Sequence, residues 1–241
     1  MKKRIITLLL ILFVISMFYS SYKIIRWKLN VKENNEIKLE VNKYIKTIDN
    51  NANTQYNIDF DNLKNINKDV VGYLKLNNTN IDYVVVKSND NSYYLNHNLN
   101  NKNNSAGWIF ADYHNKFDST DKNIVIYGHN MKDGSMFGTL RKVLNRDWQN
   151  DANNLKILLI TPSQKYEYEV FSTYSIDVED YYINTEFKTE EKYSEFLLKI
   201  RSRSNKDYNI EVSTEDRILT LSTCTGNGKK RVVVHAKLIK E

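Results

Sequence analysis

The chain has 241 residues, 41% hydrophobic and 12% aromatic, with seven glycines and one proline, enough apolar material for one medium domain plus an extension and the wrong composition for low-complexity disorder. The net charge of +6 hints at nucleic acid, but Lys2, Lys3, Arg4, Lys23, Arg26 and Lys28 lie in a stretch without an acid, and the rest balances at 29 basic and 29 acidic side chains. The excess therefore belongs to the N-terminal segment, where it argues for a membrane surface and against nucleic acid as a partner.

Ile5 to Tyr22 runs about 18 residues without a charge, just long enough for a spanning helix. A cleaved signal peptide competes with this reading. The run exceeds a typical signal core and no A-x-A-like site follows, which favours a retained anchor. Both flanks are basic, so charge alone does not set the orientation; with the bulk of the chain after the span, a short cytoplasmic N-terminus is the usual arrangement. Val31 to about Asp49 is expected as a linker helix, with Ile37, Val41, Tyr44, Ile45 and Ile48 on one face. Asn-rich Asn50 to Asn57 then breaks it, and a globular domain starts near Ile58. The organisation expected is thus residues 1–28 as cytoplasmic tip and membrane anchor, 29–57 as linker, and 58–241 as the folded domain.

Within that domain, Val70 to Leu76 and Ile81 to Val86 read as a hairpin across Asn77-Asn78-Thr79-Asn80. Asp90 to Leu95 reads as a helical turn, Gly107 to Ala111 and Asn123 to Tyr127 as strands, and Met136 to Leu144 as a short amphipathic helix. Leu155 to Thr161 and Tyr166 to Ile176 are strands flanking a Pro162-Ser163 turn. Thr185 to Ser204 carries Phe187, Tyr193, Phe196, Leu197 and Ile200 partly at helical spacing and is expected as the one long helix of the domain. Many short strands with few helices indicate a closed or nearly closed barrel, mainly β.

The last stretch, Ile218 to Leu238, holds the only cysteine. Ile218, Thr220, Ser222 and Cys224 alternate with Leu219, Leu221 and Thr223, the period of a strand. After a glycine-containing turn, Arg231, Val233, His235 and Lys237 alternate with Val232, Val234, Ala236 and Leu238. A hairpin with a loop of roughly six residues would put Cys224 and Arg231 at the same open end: a thiol facing a guanidinium, candidate nucleophile and anion stabiliser. Taken alone the pair is also compatible with a small buried thiol and a solvated arginine. One cysteine excludes an internal disulfide, and on the outer side of a membrane its thiol is worth attention as reactive.

Upstream, Asn123 to Asn130 (NIVIYGHN) ends an apolar strand in Gly128 and His129, where a histidine at a barrel rim can assist a thiol and protonate a leaving amine. His97 and His114 lie in Asn-rich loops and read as surface side chains; His235, mid-strand, reads as structural. No Cys pair, HExxH or phosphate-loop pattern appears, so neither a metal nor another cofactor is expected.

Thr220 to Cys224 (TLSTC) followed by Arg231 and VVxAKL resembles the signature of the sortases, cysteine transpeptidases that attach surface proteins to the Gram-positive cell wall. Tyr127 to Leu140 (YGHNMKDGSMFGTL), Asp90 to Leu95 (DNSYYL) and the helix before the final hairpin are similar to the class B branch. The resemblance covers about Ile58 to the C-terminus. It implies an eight-stranded barrel with an N-terminal helix and the triad His129, Cys224 and Arg231. Cys224 would attack a peptide bond of a C-terminal sorting signal, and an amine of the peptidoglycan cross-bridge would resolve the thioacyl enzyme. Arg231 would stabilise the oxyanion or hold the peptide, and Asn91 and Ser222 match groove-lining positions. The chain departs from the family at Thr225-Gly226-Asn227-Gly228, where an aromatic-containing segment often follows the cysteine, and in its short Cys-to-Arg loop. Hydrolysis without transfer, and a tethered binding protein with an inert cysteine, stay open as alternatives.

Overall fold

The computed structural model describes residues 2–50, 53–225 and 230–241, and at positions 2, 49, 50, 53, 54, 224 and 225 the backbone alone. Helix α1 (Lys2–Val41) is continuous through the uncharged run and beyond it. Its 40 residues measure about 60 Å at 1.5 Å each, roughly twice the hydrocarbon thickness of a bilayer. The apolar side chains from Ile5 to Tyr22 stand exposed, and α1 is the one described helix long and apolar enough to cross a membrane.

The other end of α1 is docked. Ile37 and Val41 are buried in the main core. Asn34 donates to the Gly107 carbonyl at 3.0 Å, and Asn104 donates to the Asn30 carbonyl at 3.0 Å and to Asn34 Oδ1 at 3.1 Å.

The helix stops at Val41, short of the Asp49 expected. After one 3-10 turn, β1 (Ile45–Asn50) pairs antiparallel with β2 (Asn53–Ile58), so the stretch expected as a polar linker is largely strand. Ile45 faces Ile58 across the ribbon, the Asp59 amide closes it onto the Tyr44 carbonyl at 2.9 Å, and Ile48 is exposed. Helical spacing of Ile45 and Ile48 with Val41 was coincidental, because those residues are partnered across a ribbon. Helix α2 (Phe60–Ile66) follows, capped by Asp59, whose carboxylate accepts from the Asn62 amide at 3.1 Å.

The remaining strands are β3 (Val70–Leu76), β4 (Asp82–Val86), β5 (Phe110–Ala111), β6 (Asn123–Gly128), β7 (Lys156–Ile160), β8 (Lys165–Asp177), β9 (Ile218–Thr225) and β10 (Lys230–Lys240). They close an eight-stranded barrel in the order β10-β8-β7-β3-β4-β5-β6-β9. This is the mainly β architecture expected, with parallel contacts at β4–β5 and β6–β9. The hairpin β3–β4 lies as expected. Strand β5 is only two residues, because Gly107 turns the chain with φ +58° where a Cβ would lie 2.3 Å from the Tyr94 carbonyl oxygen.

Met136 to Leu144 is not a continuous helix. Tyr83 Oη accepts from the Met136 amide at 2.9 Å and Met136 has φ +50°, so only Leu140–Leu144 winds, as a 3-10 helix, before the short helix α3 (Arg146–Asn150).

Strand alternation splits the barrel wall into two faces. Leu219, Leu221, Val232, Val234 and Ala236 fill the interior. Ile218 and Val233 face outward, where helix α4 (Glu190–Ser202) covers them with Tyr193, Phe196, Leu197 and Ile200, spaced i, i+3, i+4 and i+7. This helix begins five residues later than the periodicity expects. Thr189 caps it, accepting from the Lys192 amide at 3.3 Å.

Candidate active site

Register places the candidate residues. Arg231 of β10 stands directly opposite Cys224 of β9, and Gly128 of β6 is opposite Thr223. His129 follows Gly128 at the end of β6, and Cys224 follows Thr223 on the neighbouring strand. Cys224 and Arg231 thus form one rung of the β9–β10 pair, next to the end of β6. The side chain of Cys224 and the loop 226–229 lie outside the described residues. The strands reach Thr225 and Lys230, so the connection is shorter than the six residues expected.

Beside this rung, on the outer face of the barrel, is a cleft of about 190 Å³. One wall carries Tyr127, His129, Ser222 and Arg231; the segment after β4 contributes Asn91 and, from its 3-10 turn, Leu95; the crossover from β8 to α4 contributes Val178 to Asp180 and Tyr182. The five sequence-predicted site residues thus fall at one place: four line the cleft, and Cys224 is two residues beyond Ser222 with the same strand parity. Lys230, the cation adjacent to Arg231 in sequence, is exposed and does not line the cleft.

Gly128 explains how β6 delivers His129. A Cβ there would lie 2.5 Å from Ile109 Cδ1 and 2.8 Å from the Phe137 ring, so only glycine lets the strand end this close to its neighbours. His129 Nε2 is 2.8 Å from the Leu95 carbonyl oxygen. A carbonyl only accepts, so Nε2 carries the proton, and Nδ1 is the ring nitrogen left for proton exchange.

Among the described residues no carboxylate lies within ion-pair distance of Arg231. Its charge is felt by two tyrosines of the cleft. Burial raises the Tyr182 hydroxyl above its ordinary pKa, against the opposing pull of its Ser222 hydrogen bond and of Arg231. Burial and the Asp112 carboxylate raise Tyr127, again against Arg231. Ser222 Oγ and Tyr182 Oη share a hydrogen bond at 3.0 Å.

Two residues of the cleft wall, and one buried behind it, escaped sequence reading. Tyr127 and Tyr182 looked like ordinary strand and loop aromatics, although Tyr127 adjoins the Gly128-His129 pair. Asp112, in an Asn-rich loop, is 3% exposed and collects four contacts. Tyr127 Oη donates to its Oδ2 at 2.7 Å, as does Asn91 Nδ2 at 2.7 Å. The His114 amide reaches Oδ1 at 3.0 Å and His114 Nδ1 at 2.8 Å. His114 is exposed at the surface, as expected, and in addition holds Asp112 through its amide and ring.

His235 is structural, as expected. It is fully buried with Nδ1 2.8 Å from Thr220 Oγ1 and Nε2 2.8 Å from Tyr174 Oη. Thr220 donates onward to Asn123 Oδ1 at 2.7 Å, so the chain runs in one direction through a neutral ring.

The family model described as the sortase domain matches residues 74–239. Sortase B of Listeria monocytogenes is 38% identical over 230 residues, covering 88% of this chain and 90% of that protein. Sortase B of Staphylococcus aureus is 30% identical over 241 residues, covering 99% and 98%. Among solved structures, sortase B from Bacillus anthracis in complex with AAEK1 superposes with a TM-score of 0.77 at 34% identity, covering 88% of this chain and 99% of that one. A Staphylococcus aureus sortase B–substrate complex gives 0.70 at 35% identity, covering 75% and 84%.

Proposed function

This chain belongs to the sortase family, class B, and on that premise we propose that its cysteine-transpeptidase chemistry runs through Cys224, His129 and Arg231. Cys224 is the nucleophile. As its thiolate attacks the scissile carbonyl of a C-terminal sorting signal, the C–S bond forms and negative charge moves to the carbonyl oxygen. Arg231, one rung position away, meets that charge or fixes the peptide carbonyl beside it. His129, with Nε2 held by the Leu95 carbonyl, takes the Cys224 thiol proton on Nδ1 and delivers it to the departing amine as the peptide C–N bond breaks. An amine of the peptidoglycan cross-bridge then attacks the thioester, its surplus proton passing through His129 Nδ1 to the departing sulfur, so that an amide forms as the C–S bond breaks and the thiol is restored. Asn91 and Ser222 hold the peptide in the cleft.

The observation that carries this reading is the register: Arg231 opposite Cys224, and Thr223 opposite the glycine before His129. Residues 1–28 serve as cytoplasmic tip and single membrane span, 29–57 as connection, and 58–241 as the catalytic unit on the outer face of a Gram-positive-type cell. The apolar first half of α1 supports that anchoring. The experiment is intact-mass analysis after mixing the protein with peptides bearing candidate sorting signals. An adduct of peptide mass minus leaving group on Cys224, released as a new amide by an added cross-bridge amine, is expected. Release by water alone, whatever amine is present, would overturn transfer, and absence of any adduct would overturn the assignment of Cys224.

A further inference from the structure

Asp112 is a buried carboxylate that the reaction outlined above does not use. Its position decides which way two cleft side chains can hydrogen-bond. A carboxylate is acceptor only. Tyr127 must therefore spend its single O–H on Asp112 Oδ2, at 2.7 Å, which leaves the phenolic oxygen able only to accept from a ligand. Asn91 is fixed at both ends: Nδ2 donates to Asp112 Oδ2 at 2.7 Å, and Oδ1 accepts from the Tyr113 amide at 3.1 Å. The amide cannot flip without breaking both bonds, so its second N–H remains as donor. The His114 amide and ring hold the other carboxylate oxygen and keep the hub from rotating.

Resting on the sortase reading, we infer that Asp112 is a positioning residue that sets the polarity of this wall. It presents a donor at Asn91 and an acceptor at Tyr127, the complement of one amide group of the sorting peptide: its C=O to Asn91 and its N–H to Tyr127. Asp112 itself touches no reacting atom.

The probe is the best-cleaved member of a randomised, internally quenched pentapeptide library. Asp112→Asn is nearly isosteric but ends the obligation on Tyr127 and Asn91. It should raise KM about tenfold, the size of one charge-assisted hydrogen bond, with kcat changed less than about twofold on the same scale. The rate of Cys224 alkylation by iodoacetamide should be unmoved. Tyr127→Phe, which removes only a hydroxyl, should raise KM similarly, and the double variant should add little to either single change. N-methylation of each backbone amide, with an alanine scan of the side chains, then finds the partner. One substitution should weaken the wild type about tenfold and Tyr127→Phe hardly at all, by the same hydrogen-bond scale. A backbone hit names a main-chain amide; a side-chain hit names a carboxamide residue. The inference is overturned if Asp112→Asn lowers kcat with KM unchanged, if the two changes multiply independently, or if no peptide amide is coupled to Tyr127. Failure of the sortase reading looks different: the wild type would cleave no library member.

Discussion

Arg231 and Lys230 are adjacent cations on β10, and strand parity separates their fates: Arg231 lines the cleft, while Lys230 is exposed at the strand's start. Arg231→Ala should slow acylation by about 10²–10³, the usual loss for one oxyanion donor. Arg231→Lys should retain part of that rate, because the charge survives and the planar fork does not. Lys230→Ala should be nearly silent. Single-turnover acylation of all three, with melting curves, checks this; a crippled Lys230→Ala beside an active Arg231→Ala would mean the cation is the other one. His235 gives a second test at the same scale. Burial holds its folded pKa down to about 3, against 6.5 for the free side chain. The contribution of the neutral ring is therefore present above about pH 6.5 and is lost as pH falls toward 3, on the order of 4–5 kcal/mol over the whole window. Chemical denaturation at several pH values should show a wild-type slope steeper by up to about 1.4 kcal/mol per pH unit than that of His235→Asn. Parallel slopes would contradict a proton-linked role.

At the scale of elements, what was legible followed from backbone periodicity. Strict alternation in Ile218 to Cys224 and Arg231 to Leu238 fixed both faces of the β9–β10 hairpin, and with them the opposition of Cys224 and Arg231. The parallel pairing of β6 beside β9 was not legible, since strand neighbours of distant sequence are set by barrel closure. It is this pairing that sets the end of β6, and His129 just after it, next to β9. The β1–β2 ribbon was hidden because Ile45 and Ile48 fell at helical spacing, among Asn and Lys residues that are depleted in strands. Asp112 was hidden for another reason: a carboxylate's hydrogen-bond partners carry no sequence period. Gly128 tests the packing of this region. In Gly128→Ala the new Cβ must displace both Ile109 and the Phe137 ring, costing about 1–3 kcal/mol as overpacking. The displacement shifts His129 as well. Acylation should fall by more than the melting temperature alone explains, and a variant with normal acylation would show that the end of β6 adapts freely.

At the scale of the whole molecule, α1 links two environments with one continuous helix. Its first half is apolar and exposed, and its last turns belong to the core of the barrel. Asn30 and Asn34 bond to Asn104 and Gly107 before Ile37 and Val41 are buried, so the catalytic unit depends on residues that sequence reading assigned to a linker. Removing residues 1–28 should leave a soluble, folded and active protein, because no core contact is lost. Removing residues 1–57 should not, because Ile37 and Val41 go, each a truncation on the scale of about 2–4 kcal/mol for a large core side chain, together with the asparagine contacts. Ile37→Ala within the shorter deletion isolates the packing: its melting temperature should drop by several degrees while Cys224 still acylates at 25 °C. Melting and acylation measured on the three proteins decide the matter. Equal stability of the two deletions would mean that the end of α1 rests on the barrel without supporting it.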